Sequence, residues 1–407
     1  MSQPERKLVS FPGAAAVRGQ RDPRIDAFRG AALVMILIDH IPGNPYEALT
    51  LRNFGFSDAA EAFFVMSGVA AGIAYSGRME RWTNGEGSLR EAVTPIWHRA
   101  WVLYLVQMVM TVVVLAMFAM AANVFLRPEL LQMHNISRIF DQTGAALTGL
   151  AALSYHIGYV NILPTYIVLL LLAPLAIRAG LRAPWPTLAV SACIWFVGGW
   201  LRLNVPNYPG GGGWFFSPFT WQFIFVLGLT IGIRHRRGER LVPVNRPLFL
   251  VAAGFLVLVL AWKFIPPFGV WMNNKMWLLG KLGAPANIVT HDKPFLAFPR
   301  LIHAVALVYV VSCLPQLRDW CAHRLAAPLR MLGRQGLAVF AWGSVLALGC
   351  QILLKVEPGS ALLPWLLPPL AVLAIFGVAA VHERNRTAKR TAATPPARTT
   401  GGLVARA

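Results

Sequence analysis

Charged residues are scarce in this chain. Of its 407 residues, only 13% are charged, whereas 56% are hydrophobic. With a mean hydropathy of +0.55, the chain carries more apolar surface than one soluble core can bury. Apolar runs of about 17 to 25 residues, the length needed to cross a bilayer, recur along almost the whole sequence. This pattern excludes a large soluble domain and predicts an all-α polytopic membrane helix bundle.

Sequence motifs of several enzyme classes are also missing. We find no P-loop, no GxSxG, no HExxH, no metal-ligand cluster and no dinucleotide fingerprint, so ATP-driven and zinc-dependent chemistries lose support. We therefore expect no metal and no cofactor. The four cysteines have no paired spacing and are interpreted as structural; they are Cys193, Cys313, Cys321 and Cys350.

The N-terminal region lacks the pattern of a cleavable signal. Its first 27 residues are polar and basic, so the first apolar run is expected to act as an uncleaved anchor. We predict about ten transmembrane spans, near residues 27–43, 57–76, 95–122, 161–178, 184–201, 215–233, 246–264, 296–314, 335–354 and 361–381. The less hydrophobic stretch 145–160 is predicted to be a short or re-entrant helix.

Basic residues give the chain a formal charge of +20, which in a soluble protein would suggest a nucleic-acid partner. Here they fall between the apolar runs, so we expect the bilayer and not nucleic acid as the partner. Of 37 Lys and Arg residues, 26 lie in alternate segments and nine on the opposite side, while Arg29 and Arg300 lie inside helices. This alternation places both termini in the cytoplasm. The basic segments are 1–27, 77–100, 178–185, 234–246, 315–334 and 382–407.

Three regions follow from this pattern. Residues 1–26 form a basic cytoplasmic segment, 27–381 a transmembrane domain, and 382–407 a basic tail with the composition of a disordered segment. The outer loops are longer than the inner ones and rich in Gly, Pro, Trp and Asn. Loops of this kind can contact a ligand on the outer side of the membrane. Trp and Tyr also settle at the headgroup level whatever the function, so the aromatic content alone does not indicate sugar binding.

Ionisable side chains within a span are expensive to insert and are therefore candidate site residues. Asp26, Arg29 and His40 fall on one face of the first helix, because eleven residues at about 100° each return to within about 20° of the starting direction. Asp39 is rotated by about 100° from His40 and ranks lower. Asp58 and Glu61 lie one turn apart, and we expect them at a depth where a carboxylate orients the His40 imidazole and raises its basicity. The second helix thus supplies possible partners for His40.

Each candidate also has a structural interpretation. Arg29 is equally explained as an interfacial anchor paired with Asp26, and Arg99 has the same ambiguity. His40 would otherwise be a packing histidine satisfied by a carbonyl, but its shared face with Arg29 favours a functional role. Arg300 and His303, one turn apart in the eighth span, are weaker candidates.

Two segments carry a family resemblance. RIDAFRGAALVMILIDH, followed by EAFFVMSGVAAG, resembles the membrane acyltransferase-3 superfamily, whose pattern is a basic residue ahead of a histidine and then paired aromatics before Ser-Gly. Later segments, including NILPTYIVLLLLAP, SPFTWQFIFVLG and LGRQGLAVF, look like the OpgC branch of that superfamily, so the resemblance covers nearly the whole chain. The matching residues are Arg29, His40, Phe63, Phe64, Ser67 and Gly68.

The resemblance implies an acyl-CoA-dependent O-acyltransferase of the bacterial inner membrane that succinylates osmoregulated periplasmic glucans. In such a protein His40 is the catalytic residue, while Arg29 and Arg99 handle acyl-CoA, a co-substrate, on the cytoplasmic side. The wider superfamily often has two arginines three apart at the start of its third helix, and this chain has only Arg99 there. The full set of expected site residues is His40, Glu61 and Asp58 for catalysis and Arg29, Arg99, Asp26, Ser67 and Arg300 for substrate binding.

Other functions stay open at this point. The transferred group is succinyl or acetyl, because the succinyl assignment depends on the resemblance. A secondary transporter would also show ten helices and intramembrane Arg, His and Glu residues. A non-catalytic partner of a polysaccharide-synthesis complex is a third possibility.

Overall fold

The computed structural model describes residues 22–393, in which helices are joined by turns and loops and no strand is present. The helices that build the bundle and its sites are α1 (Pro23–Asp39), α2 (Ala59–Thr83), α3 (Leu89–Val124), α4 (Ile162–Arg182), α5 (Pro184–Trp200), α6 (Pro218–Arg236), α7 (Arg246–Phe264), α8 (Pro266–Lys281), α9 (Phe298–Cys313), α10 (Ala327–Arg334), α11 (Gly336–Val356) and α12 (Leu363–Ala393). Short helices and 3₁₀ turns connect them at Pro45–Leu49, Leu51–Phe54, Pro128–Asn135, Ser137–Asp141, Thr143–Ala151, Ala286–Val289, Pro315–Ala322 and Arg324–Ala326.

A helix occupies each of the ten predicted spans, but not all of them are long and apolar enough to cross a bilayer by length and composition. Six of the described helices meet both conditions: α2, α3, α4, α7, α11 and α12. The helix α9 and the short helix Pro315–Ala322 meet at a bend of 77° and would add a seventh if they form one broken span. The chain is therefore a multi-pass membrane protein, while the count of ten spans and the cytoplasmic termini stay predictions.

Several segments differ from the expected pattern or lie outside the described residues. The helix α8 fills a stretch that was predicted as an outer loop, because its mixed Trp, Asn and Lys content hides a helix that has no long apolar run. Residues 382–393, assigned by composition to a disordered tail, continue α12. Most of the basic N-terminal segment, and the tail after residue 393, lie outside the described residues. In the 145–160 stretch a helix covers only Thr143–Ala151.

The helix α2 lies at the centre of the bundle, packed against α1, α3, α4, α6 and α9. Its closest neighbour is α6, and the contact uses a Gly-x-x-x-Gly pair on each helix. A Cβ atom added at Gly68 or Gly72 would overlap the α6 backbone, and one added at Gly228 or Gly232 would overlap the α2 backbone. Small residues at this spacing let two membrane helices approach closely. The Ser-Gly of the sequence motif therefore includes a packing glycine.

The first helix is held in the same way against α10. Gly30 lies against the α10 backbone, and Gly333 lies against the backbone of Asp26. The start of α1 is fixed by Asp22, whose side chain accepts a hydrogen bond from the Arg24 backbone N–H, as an N-cap does. This packing positions the inward face of α1, which carries Arg29 and His40, against α2, α10 and α11.

The periphery of the bundle is apolar. Val251 on α7 and Leu373 on α12 are 69% and 66% exposed, and only 11% of the apolar stretch of α7 is buried. A water-soluble protein does not leave such surface uncovered. These faces are the ones expected to contact lipid acyl chains.

Candidate active site

A cavity of about 560 Å³ opens between α1, α2, α3, α4 and α11, near the end of the bundle where α1 begins. We call it the basic cavity. Arg29, Ser67 and Arg99, three of the predicted substrate-binding residues, all line it. Three separate helices thus bring together side chains that are up to 70 positions apart in the sequence. Its remaining polar and aromatic walls include Tyr75, Tyr166, Arg334, Gln335, Trp342 and His382.

The guanidinium of Arg29 is fixed at the wall of the basic cavity by backbone carbonyls. Its Nη2 donates to Met66 O at 3.1 Å and its Nη1 donates to Gly333 O at 3.5 Å. A Cβ atom at Gly336 would lie 3.1 Å from the Arg29 side chain. The segment LGRQG therefore packs closely against the arginine, and this gives a physical reason for glycine at position 336.

The basic cavity carries positive charge. No Asp or Glu of the described chain lines it, and Arg99 has no ion pair among the described residues. Arg334 bonds to Glu383 of α12 at 2.9 Å, while Gln335 donates to the other oxygen of that carboxylate at 2.5 Å. The extended end of α12 is thus attached to one side of the cavity mouth. A cavity of this kind suits an anionic ligand.

Aromatic side chains form the far end of the basic cavity. The ring centroid of Phe63 lies 5.8 Å from that of Tyr166 on α4 and 5.8 Å from that of Phe340 on α11. Phe64 points the other way and is fully buried against Phe216 and Trp221. The two aromatics of the motif therefore differ in role, because one lines the cavity and the other packs the core.

His40 lies beyond this aromatic end, at the end of α1. The helix rises about 10 Å over the seven residues from Leu33, which lines the cavity, to His40. The backbone carbonyl of His40 accepts a hydrogen bond from Gln351 Nε2 at 2.6 Å. As a whole residue His40 is partly exposed, and its imidazole meets the Tyr159 ring edge to face, with centroids 4.7 Å apart. Its Nδ1 is buried with no hydrogen-bond partner in the described chain.

A second histidine lies on the other side of Tyr159. The His134 ring meets Tyr159 edge to face at 5.2 Å, and a Cβ atom at Gly158 would lie 2.9 Å from His134 Nδ1. Both His134 and Tyr159 have positive φ angles, 57° and 67°, which non-glycine residues adopt at a cost. The loop between α3 and α4 is thus folded tightly around His40.

The predicted carboxylates form a separate buried cluster. Asp58 and Glu61 make a capping box at the start of α2, in which the Asp58 N–H donates to Glu61 at 2.9 Å. Arg300 of α9 donates to Glu61 at 2.7 Å and to Asp58 at 2.9 Å, and Lys293 donates to Asp58 at 2.6 Å. Two cations therefore balance two carboxylates. No hydrogen bond joins either carboxylate to His40 among the described residues.

His303, one turn after Arg300, contacts the same segment. Its Nδ1 lies 2.7 Å from Ser57 Oγ, and both residues are buried. Gly55 lies so close to the ring that a Cβ atom there would overlap it. We interpret His303 as part of the connection between α9 and the start of α2.

A second cavity, of about 590 Å³, lies among the loops at the opposite end of the bundle. We call it the amide cavity, because four asparagines contribute to its wall. Among the described residues, Arg202 is the one Lys or Arg in its wall, and it bonds to Asp292 at 3.0 Å. The lining residues are Asn135, His156, Gly158, Asn161, Arg202, Asn204, Asn207, Gly213, Trp214, Phe215, Pro294 and Phe295.

A family model described as OpgC protein matches residues 21–387. The chain belongs to the OpgC protein family. Neither the comparison with curated proteins nor the comparison with solved structures finds a match. Membership in the OpgC family implies a glucan-modifying, acyltransferase-type enzyme.

Within this OpgC family member, the structure divides the predicted site residues into groups. Arg29, Ser67 and Arg99 share the basic cavity, while His40 lies farther along α1 and lines neither of the two cavities. Asp26 is buried where α1 crosses α10, outside the cavity wall. The cluster of Asp58, Glu61 and Arg300 is a third group. Asp39 accepts a hydrogen bond from Thr50 at 2.7 Å.

Several residues around these groups were not predicted. His40 is surrounded by Tyr159, His134 and Gln351. None of these residues belongs to α1 or α2, so the helical pattern around His40 did not indicate them. Lys293 comes from a loop and completes the charge balance of the carboxylates. In sequence, the excess of Asn, Gly and Trp in the outer loops was the one available signal, and it did not single out any residue.

Proposed function

We propose that this OpgC family protein is a membrane O-acyltransferase of the acyltransferase-3 type that moves a succinyl group from cytoplasmic acyl-CoA to a hydroxyl of a periplasmic glucan. The observation that carries the proposal is the arrangement along α1. Arg29 lies at a basic cavity near one end of the helix, and His40 lies at its other end, toward the amide cavity. The protein would reside in the bacterial inner membrane.

The basic cavity supports the donor assignment. Coenzyme A carries phosphates, which guanidinium groups bind through charge-assisted hydrogen bonds. Arg29 and Arg99 present such groups on two of the helices that line the cavity. The rings of Phe63, Tyr166 and Phe340 give the far end of the cavity an apolar lining that suits the pantetheine arm. A succinyl donor adds a carboxylate, which agrees with the surplus of cations. Asp26, buried beside α10, serves here as a packing residue of α1.

The chemistry assigned to His40 is that of a general base. The imidazole takes the proton of the sugar hydroxyl while the oxygen attacks the thioester carbonyl. A carbon–oxygen bond forms, the carbon–sulfur bond breaks, and coenzyme A leaves as a thiolate that then takes up a proton. The unpartnered Nδ1 suits this role, since no protein group of the described chain bonds to that nitrogen.

The carboxylate cluster supports His40 from a distance in this proposal. Asp58 and Glu61 are held by Arg300 and Lys293, so they position the start of α2 and do not orient the imidazole by direct contact. The helices separate a charged donor on one face from a polymer on the other. The apolar centre between them limits hydrolysis of the thioester by water.

The proposal is tested on glucan from cells that express or lack the protein. Because succinylation adds a negative charge to each modified sugar and acetylation adds none, ion-exchange chromatography and mass spectrometry of the purified glucan separate the two. We expect an anionic, succinylated glucan only when the protein is present. Neutral acetylated glucan would replace the succinyl assignment with acetyl, and identical glucan in both strains would contradict the enzyme.

Proteoliposomes distinguish the enzyme from a secondary transporter. With labelled succinyl-CoA on one side and an oligoglucoside on the other, we expect label in the oligoglucoside and free coenzyme A in an equal amount. Movement of an unaltered solute with no ester formed would favour the transporter.

A further inference from the structure

The amide cavity has a wall that is already shaped by its own hydrogen bonds. Asn207 accepts a hydrogen bond from the His156 backbone N–H at 3.1 Å, and Asn204 donates to Trp214 O at 2.8 Å. Ser217 donates to Leu203 O at 2.9 Å, which attaches this loop to the start of α6. The cavity is therefore a preformed feature of the loops, as small-molecule sites usually are.

Two polar atoms at this wall lack partners. The side chains of His156 and Trp214 are each only 4% exposed, and their rings lie 4.6 Å apart. Neither His156 Nδ1 nor Trp214 Nε1 has a hydrogen-bond partner among residues 22–393. Buried polar atoms are normally satisfied, so an unpaired pair beside a cavity points to a ligand that supplies both partners.

The two atoms require opposite hydrogen-bonding roles. His156 Nε2 lies 2.8 Å from Leu153 O, and a carbonyl only accepts, so the ring hydrogen is on Nε2 and Nδ1 is an acceptor. Burial lowers the pKa of His156 to about 4, which keeps the ring neutral near pH 7. Trp214 Nε1 only donates. A hydroxyl both donates and accepts, and neighbouring hydroxyls on one ligand satisfy both atoms together.

The charge of the amide cavity favours an uncharged ligand. The Arg202 guanidinium is paired with Asp292 and lies over the Phe295 ring, 4.3 Å from its centroid. Besides Arg202, His156 and Trp214, the polar side chains of the wall are asparagine amides, which bind hydroxyls without bringing charge. At about 590 Å³, the cavity falls within the roughly 300–1,000 Å³ of small-molecule sites and is lined by aromatic faces that suit a sugar ring.

The cavity also lies next to the reacting group. Gly158 and Asn161 belong to its wall, and Tyr159 between them contacts the His40 ring. The segment 158–161 thus connects the wall of the amide cavity to a side chain that contacts the imidazole.

We propose that the amide cavity is a binding subsite for an uncharged sugar unit of the acceptor, with Trp214 donating to one hydroxyl and His156 accepting from another. This inference rests on the proposed function, and it adds the place and the chemistry of acceptor recognition. The glucan chain would then extend over Tyr159 and present its reacting hydroxyl to His40.

The experiment measures binding without any acyl donor. The full chain is placed in lipid nanodiscs, because maltoside detergents are themselves glucosides and would compete. Isothermal titration uses neutral glucose tetramers of several linkages and, for comparison, tetramers oxidised to glucuronates. We expect neutral tetramers of at least one linkage to bind and the glucuronates to bind more weakly.

Trp214→Phe keeps the ring and removes the N–H group, and should weaken binding by about 2- to 12-fold, as expected for one lost neutral hydrogen bond. His156→Phe should weaken it to a similar extent. Trp200→Phe is the matched control, since Trp200 is 57% exposed and lines neither cavity; it should leave affinity unchanged. Thermal unfolding of each variant checks the fold.

Unchanged affinity in a folded Trp214→Phe variant, or equal affinity for the glucuronates, would overturn the subsite. The experiments distinguish a failure of the subsite from a failure of the proposed function. Tetramer binding that depends on Trp214, without acyl transfer to the tetramer, would keep the subsite and reject the reaction. If acyl transfer occurs and the KM for the tetramer is unchanged by Trp214→Phe, the reaction is kept and the subsite is rejected.

Discussion

The basic cavity and the amide cavity are nearly equal in volume, about 560 and 590 Å³, yet they treat charge in opposite ways. At the basic cavity, Arg99 has no ion pair among the described residues and no carboxylate lines the wall. At the other end of the bundle, Arg202, Lys293 and Arg300 all bond to carboxylates. Arg334 at the basic cavity is paired with Glu383, so the difference concerns Arg99, which is available to an anionic ligand, whereas Arg202, Lys293 and Arg300 hold the protein together.

This contrast agrees with an enzyme that takes an anionic donor from one compartment and a neutral acceptor from the other. The cost of leaving a cation uncompensated in a low-dielectric bundle is sizeable, so it is accepted only where a ligand brings the opposite charge. Four predictions test the contrast, beginning with the group that lies between the two cavities.

Replacing His40 should have the largest effect. We expect His40→Ala to lower the rate of glucan acylation by about 10²- to 10⁴-fold, the usual contribution of a general base, while both substrates still bind. Initial rates with labelled acyl-CoA measure the effect. His235→Ala, near the end of α6, is the control and should leave the rate unchanged. A His40→Ala variant that keeps most of its activity would remove the imidazole from the mechanism.

Arg300→Gln should mainly destabilise the protein. The change leaves Glu61 and Asp58 buried with Lys293 as their one remaining cation, and breaking a buried ion pair from one side costs about 3–5 kcal/mol. Unfolding in denaturant measures the loss. Adding Glu61→Gln should recover part of the lost stability, because one buried carboxylate then no longer needs a cation. The control is Lys275→Gln, on the exposed side of α8, which should leave stability unchanged.

If Arg300→Gln instead leaves stability intact and raises the KM for a substrate, the arginine belongs to a binding site after all. That result would mean that a cation at the amide-cavity end also binds a ligand, so the contrast between the two ends would not hold.

Arg99→Gln should act in the opposite way, on binding and not on stability. A lost hydrogen bond to a charged group is worth about 1.5–3 kcal/mol, so we expect the KM for acyl-CoA to rise about 10- to 100-fold with little change in the unfolding midpoint. Arg90→Gln, at the exposed start of the same helix, is the matched control. A change in glucan affinity without a change in acyl-CoA affinity would contradict the assignment of the basic cavity.

Ser67→Ala should have the smallest effect. The hydroxyl lines the basic cavity, and one neutral hydrogen bond to the donor corresponds to about 2- to 12-fold in kcat/KM. Ser344→Ala, which removes a buried helical hydroxyl outside that cavity, should have no effect on acyl transfer. Equal effects of the two changes would mean that Ser67 contributes only to packing.

The sequence predicted much of the helical framework. Apolar runs located helices at all ten expected positions, because burial in lipid demands long stretches without charge. The helix α8 escaped this reasoning, since its alternating Trp, Asn and Lys residues do not make an apolar run. Helical periodicity also predicted that Arg29 lies on the inward face of α1, and there it lines the basic cavity; its role as a site residue stays a prediction.

The partners of the expected residues were not predictable in the same way. Helical geometry relates Asp26, Arg29 and His40, which share one helix, but it cannot tell that Lys293 from a distant loop bonds to Asp58. For the same reason Glu61 was expected near His40, whereas Arg300 binds it. The glycines that set the α2–α6 distance are visible in sequence, but the pairing of the two helices is not.

The sequence by itself determined that this chain is a multi-pass membrane protein with a basic residue and a histidine on one face of its first helix, because hydropathy and helical period are local properties. Only the tertiary structure decided which cations are neutralised and which line a cavity. It also placed His156 and Trp214 side by side at the amide cavity. Such contacts depend on how loops and helices far apart in the chain pack together, and a local sequence pattern does not encode which distant segments meet.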